Sequence, residues 1–356
     1  MLPPINKKKN LCFPFVFRSL IRTFAALLEI MVLEILLIIL GIAVVLWGAD
    51  RFTDGACGLA RRLKVSELVI GLTVVALGTS LPEFMVSFMS VLRGSSDMSV
   101  GNIIGSNVFN ILVIIGASAF MQKMKVESSL LRRDIPICLA ASALLFAFAV
   151  TEGMIARWEG LVLVAFFCAY LYMAFRIAKK DRRGETLSNS PFKGENPGSE
   201  EPKASPLRGG LVGSLLLLLV GMTALVIGGR VLVDNAAAVA REWGVSESVI
   251  GMTILAAGTS LPEFATSVMA ARKGSLGLAF GNAIGSNIFN IAFVIGICSS
   301  IVPMAVEEIA QLDWLVLVGS CILVWVVAFS RRELSRWEGA LLVLCYLAYL
   351  VSLLLK

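Results

Sequence analysis

Apolar stretches of roughly 20 residues, each closed by a short polar loop, recur along most of the chain. That is the length an α-helix needs to cross a bilayer. Ten such stretches are readable, at roughly 31–50, 68–92, 100–121, 134–152, 158–177, 210–233, 248–271, 279–301, 311–330 and 337–355. Between the fifth and sixth, residues 178–209 are polar and rich in Gly, Pro, Ser and charge, which predicts a disordered linker. The expected organisation is a first five-helix repeat over 31–177, the linker, and a second five-helix repeat over 210–356.

The halves repeat in sequence. A shift of 180 residues lays GLTVVALGTSLPEF (71–84) on GMTILAAGTSLPEF (251–264), and GNIIGSNVFN (101–110) on GNAIGSNIFN (281–290). Between 71–110 and 251–290, 22 of 40 positions are identical without a gap. Because five spans is an odd number, the second half enters the membrane from the opposite face. Inverted repeats of this kind mark many secondary transporters, with the binding site near the midplane where the repeats meet. The predicted fold is an all-α polytopic membrane protein of ten transmembrane helices, arranged as two inverted five-helix repeats.

Composition agrees: 58% of the 356 residues are hydrophobic and 16% charged, against about 25% charged in ordinary soluble domains. The net charge of +6 sits in short loops, so it reads as membrane topology and not as a nucleic-acid surface. Placing the linker in the cytoplasm puts most lysines and arginines on that side, as the positive-inside rule requires. The opposite loops carry Arg93, Arg157, Arg230 and Arg241. Residues 1–30 are basic yet fall outside in this topology, and Met31 opens MVLEILLIILG. They are expected to be a dispensable extension or an artefact of where the chain is taken to start. Short loops and the lack of room for a folded sensor domain suggest a prokaryotic inner membrane.

The chain has no histidine and seven cysteines without C-x-x-C spacing, so histidine catalysis and a sulfur-based metal site are not expected. No phosphate-binding G-x-x-x-x-G-K-[ST] motif is present; no ATP use is expected, and no cofactor. Ser80 and Ser260 lack the base that a nucleophile needs, which argues against an enzyme.

Glu83 and Glu263 are the only acidic side chains inside the four repeat-rich spans, and no lysine or arginine lies inside to pair with them. A carboxylate there costs about 2.5–3.5 kcal/mol on insertion scales, so a mobile cation is the natural partner. Pro82 and Pro262 must each kink or break their helix, freeing most directly the carbonyls of Gly78 and Gly258. Irregular backbone at this depth survives only where protein buries it or it lines a cavity. Thr79 and Glu83 are four residues apart, as are Ser106 and Asn110, and Thr259, Glu263, Ser286 and Asn290 repeat the spacing. Such pairs share a helix face. An all-oxygen set with two carboxylates suits Ca²⁺ or Na⁺, and suits neither Zn²⁺ nor Cu⁺.

GTSLPE and GNxxGSNxFN, each present in both halves, resemble the alpha-repeats of the calcium/cation antiporter superfamily, specifically the ten-span sodium/calcium exchanger type. The resemblance covers the chain from about residue 31. It implies side-chain ion ligands from Thr79, Ser80, Glu83, Ser106 and Asn110, with Thr259, Ser260, Glu263, Ser286 and Asn290 as counterparts. It also implies backbone carbonyls near the breaks, at Ala76, Thr79, Ala256 and Thr259, and first and sixth spans that slide across the core. Several relatives carry aspartate where this chain has Asn290, and asparagine there goes with potassium-independent exchange. The expected function is Ca²⁺/Na⁺ antiport by a monomer whose partners are inorganic cations and lipid. An H⁺-driven antiporter of the same fold is the alternative, and a cation channel a more distant one.

Overall fold

The computed structural model describes residues 12–182, 210–244, 256–307 and 309–355. Helix α1 runs unbroken from Cys12–Leu63, so the first span continues well past its expected end at residue 50. Next come α2 (Glu67–Thr79) and α3 (Leu81–Leu92), bent by 45° at the break between them. They are followed by α4 (Ser96–Met121), α5 (Leu130–Thr151) and α6 (Arg157–Arg182). In the second half, α7 (Gly210–Glu242) precedes the short α8 (Ala256–Thr259) and α9 (Leu261–Arg272). The chain closes with α10 (Leu276–Ile301), α11 (Gln311–Arg331) and α12 (Arg336–Leu354).

Among the described residues, eight helices are long and apolar enough to cross a membrane, or nine if α2 and α3 form one broken span. The first part of the expected seventh span, 248–255, lies outside the described residues, as does most of the stretch expected as linker. The stretch expected to be linker from residue 178 is helical at its start: Lys179, Lys180, Asp181 and Arg182 complete α6. A basic C-terminal turn suits the negative end of the helix dipole.

Helices α4 and α10 are the most enclosed spans, whereas α1 and α7 face largely outward. The α1/α7 pair packs through glycines. A Cβ on Gly48 would meet Ala224 Cβ at 2.9 Å, and one on Gly221 would meet the Phe52 amide nitrogen at 2.5 Å. Small residues let membrane helices approach backbone to backbone. The same device seats α10 on α2, where a Cβ on Gly281 would meet the Leu68 carbonyl at 2.7 Å.

Among the described residues four two-residue strands lie between the helices: β1 (Met124–Lys125), β2 (Met154–Ile155), β3 (Met304–Ala305) and β4 (Glu333–Leu334). β1 pairs antiparallel with β4, Met124 opposite Leu334, and β2 with β3, Ile155 opposite Met304. Each ladder joins one half of the chain to the other. Among the described residues four helical stretches widen to π geometry, Asn110–Ile114 in α4 and Phe289–Ile295 in α10 being two of them. Such π segments are rare and recur at functional sites.

Candidate cation site

Both helix breaks fall on a serine. Ser80 and Ser260 share φ −86° and ψ 7°, the sparsely populated bridge region of the backbone map. Each helix restarts one residue later, so Pro82 and Pro262 sit in a first turn, where proline's missing N–H costs nothing. Pro82 cannot donate to the Gly78 carbonyl four residues back. The Ser80 amide does donate to the Ala76 carbonyl, at 3.1 Å, which leaves Ala76 one lone pair for any other partner. Ala256 opens α8, and its side-chain surroundings lie outside the described residues.

The breaks bring both carboxylates to one place. Ser80 Oγ donates to Glu263 Oε1 at 2.9 Å, and Ser260 Oγ donates to Glu83 Oε1 at 3.0 Å. Glu83, Glu263, Ser80 and Ser260 are all fully buried. Thr79 is buried too; its hydroxyl is shared between the Val75 carbonyl and Asn282 Oδ1, each at 3.1 Å. Thr259 borders a cavity.

Among the described residues twelve buried side-chain oxygens have no hydrogen-bond partner, and six of them stand at the repeated motif positions: Glu83 Oε2, Glu263 Oε2, Ser106 Oγ, Ser286 Oγ, Asn110 Oδ1 and Asn290 Oδ1. They form three pairs, each related by the 180-residue shift. Buried polar atoms are rarely left unpaired, so six oxygens in matched pairs, two of them from carboxylates, make a donor set for a hard cation. Among the described residues, no group of three or more His, Cys, Asp or Glu comes together; the neutral oxygens complete the set.

Behind these oxygens lie asparagines that the ligand reading passed over. Asn282 Nδ2 donates to Ser267 Oγ at 2.9 Å and to the Glu263 carbonyl at 3.2 Å. Asn102 Nδ2 donates to Ser87 Oγ at 3.2 Å. Asn107 and Asn287 join α4 to α10. All four stand in the GNxxGSN repeats, and a primary amide in so apolar a span signals a built hydrogen-bond network.

Among the described residues one cavity leads toward this place. Its volume is about 970 Å³, and it is lined by Pro82, Val86, Asn102, Thr259 and Pro262, and by Val233 and Asp234 of α7. The opposite approach is shut. Val86 is 36% exposed, while Thr266, its counterpart, is fully buried, as is Thr53, the counterpart of Val233. There Lys273 Nζ, at the end of α9, lies 2.8 Å from Asp50 Oδ1 and 2.6 Å from Asp54 Oδ1 on α1. It also donates to the Asp50 carbonyl at 3.1 Å. The counterparts on the open side are Arg93, Arg230 and Asp234; Arg230 pairs with Asp234 within α7 at 3.6 Å.

Comparison with known proteins agrees with this geometry. The sodium/calcium exchanger protein family model matches residues 33–176 and 213–355. The sodium/calcium exchanger MaX1 of Methanosarcina acetivorans is 32% identical over 345 residues, covering 89% of this chain and 97% of that protein. The putative antiporter CaxA of Alkalimonas amylolytica is 33% identical over 323 residues, covering 90% and 98%. Among solved structures, the sodium-calcium exchanger NCX_Mj superimposes with a TM-score of 0.74 at 29% identity, covering 90% of this chain and 98% of that one. With broken helices, paired buried carboxylates and matches along nearly its full length, this chain is a multi-pass membrane transporter, not an enzyme, and it belongs to the sodium/calcium exchanger family.

Proposed function

We propose that the protein exchanges Ca²⁺ for Na⁺ across the membrane by alternating access, with the twelve residues anticipated from the sequence forming the ion site. The observation that carries this reading is the set of six unpartnered buried oxygens in matched pairs. Two carboxylates balance one Ca²⁺, or most of the charge of a small group of Na⁺ ions. Ions that compete for one charge-limited site give exchange without ATP. The exchanger names of the relatives support the same pair of ions.

The conformation described is open toward Val86 and Val233 and shut at Lys273. Alternation would require α1 to part from α9 at Lys273 while α7 closes over the cavity. The basic linker is assigned to the cytoplasm and the chain to a prokaryotic inner membrane, working as a monomer; the prokaryotic relatives support that location.

The test is Ca²⁺ uptake into proteoliposomes under an imposed Na⁺ gradient with pH clamped on both sides. Uptake that follows the Na⁺ gradient is expected. Uptake indifferent to Na⁺ and driven by a pH gradient would replace Na⁺ by H⁺ as the coupling ion.

A further inference from the structure

Asn107, Asn110, Asn287 and Asn290 are all buried, and their hydrogen bonds form a chain whose direction can be deduced. A backbone carbonyl only accepts. Asn107 therefore presents its Nδ2 to the Asn287 carbonyl, at 3.3 Å. Asn287 returns the contact to the Asn107 carbonyl at 3.1 Å. With both amides anchored this way, Asn107 Oδ1 and Asn287 Oδ1 have fixed positions as acceptors.

Each acceptor meets one of the candidate ion ligands in the opposite half. Asn290 Nδ2 donates to Asn107 Oδ1 at 3.1 Å, and Asn110 Nδ2 donates to Asn287 Oδ1 at 2.9 Å. If either ligand amide turned over, its oxygen would face another oxygen. Only one orientation is left, with Asn110 Oδ1 and Asn290 Oδ1 on the side away from the clamp. Those are the oxygens without a protein partner.

We infer that Asn107 and Asn287 are positioning residues that hold the side-chain carbonyls of Asn290 and Asn110 toward the transported ion. This rests on the ion-site reading of Asn110 and Asn290 given above. Neither positioning residue needs to touch the ion, since its oxygen and nitrogen are both engaged elsewhere. Each acts on the ligand of the other repeat, so the two carbonyls are presented by a single interlocked unit. Preorganised dipoles of this kind bind a charge without having to turn at the moment of binding.

The experiment measures Ca²⁺ uptake by the full chain in proteoliposomes against Ca²⁺ concentration, separating apparent KM from maximal rate. Asn107→Leu keeps the volume and removes the amide. It is expected to raise the KM for Ca²⁺ about tenfold, the scale of a lost buried hydrogen bond, with a smaller change in maximal rate. Asn290→Ala should raise KM at least as much, and Asn107→Leu should add nothing further in its presence. A merely structural role predicts independent losses that multiply, and that outcome overturns the clamp. So does an unchanged KM in Asn107→Leu while Asn290→Ala is impaired. An unchanged KM in Asn290→Ala instead overturns the ion-site reading itself. If Asn107→Leu does not fold, the cycle of Asn287→Leu with Asn110→Ala carries the same expectations on the other half.

Discussion

The hydroxyl of Ser80 donates to Glu263 Oε1 at 2.9 Å across the boundary between the two halves, and Ser260 reaches Glu83 in the same way at 3.0 Å. Each carboxylate is therefore oriented by the helix break of the opposite repeat. The free oxygen of each, Oε2, is what remains for a cation.

Neutralising either carboxylate should nearly abolish transport. Removing one partner of a buried charge pair costs about 3–5 kcal/mol, so Glu83→Gln and Glu263→Gln should each lower Ca²⁺ uptake at subsaturating Ca²⁺ by roughly two orders of magnitude or more. Both variants should still elute as monodisperse protein from a sizing column in detergent. Wild-type flux in either would make the carboxylates structural.

The serines should matter less, and through the carboxylates. A hydrogen bond to a charged group contributes about 1.5–3 kcal/mol, so Ser80→Ala should weaken apparent Ca²⁺ affinity by roughly tenfold to a hundredfold. The double variant Ser80→Ala/Glu263→Gln should be no worse than Glu263→Gln alone. Fully additive losses in uptake would show that Ser80 acts independently of Glu263.

The shut side should open when Lys273 is lost. Thr53 is fully buried behind the Lys273 contacts, so Thr53→Cys should resist a water-soluble thiol reagent. Adding Lys273→Met should speed its labelling about fivefold, the scale of about 1 kcal/mol for a part-exposed ion pair. Labelling rates unchanged by Lys273→Met would mean that packing, and not this contact, keeps the side closed.

Gly285 should resist even alanine. A Cβ there would lie 2.7 Å from the Leu72 carbonyl and 2.8 Å from Ala76 Cβ, forcing α10 off α2. Overpacking of this kind costs about 1–3 kcal/mol, which a lowered melting temperature in detergent would report. At Gly319 an added Cβ meets nothing within 4 Å among the described residues. Gly319→Ala should leave the melting temperature unchanged or raise it, because alanine is the better helix former.

The sequence made the helix breaks and the pairing of the carboxylates legible, because a proline and a glutamate are costly in an apolar span and each appears twice. The asparagine clamp was harder to see. Asn107 and Asn287 lie three residues before the candidate ligands Asn110 and Asn290, and spacing alone does not say which amide faces an ion and which faces another amide. Lys273 falls among the basic residues that topology already explains, and nothing in the spacing joins it to Asp50 or Asp54. Their contact depends on α1 extending to Leu63, beyond the apolar run that marked its expected end. The two-residue strands carry no periodic signal at all, being shorter than any window in which alternation can be counted.

Those strands bear on how such a chain is put together. β1 pairs with β4 and β2 with β3, and the 180-residue shift, one residue shorter between β2 and β4, carries one ladder onto the other. A half-length chain able to insert in both orientations would find in a second copy of itself the same ladders, the same serine-to-carboxylate contacts and the same exchanged amides. The present protein thus has the anatomy of a homodimer written in one chain, its halves recognising one another through contacts that each could offer to a copy of itself.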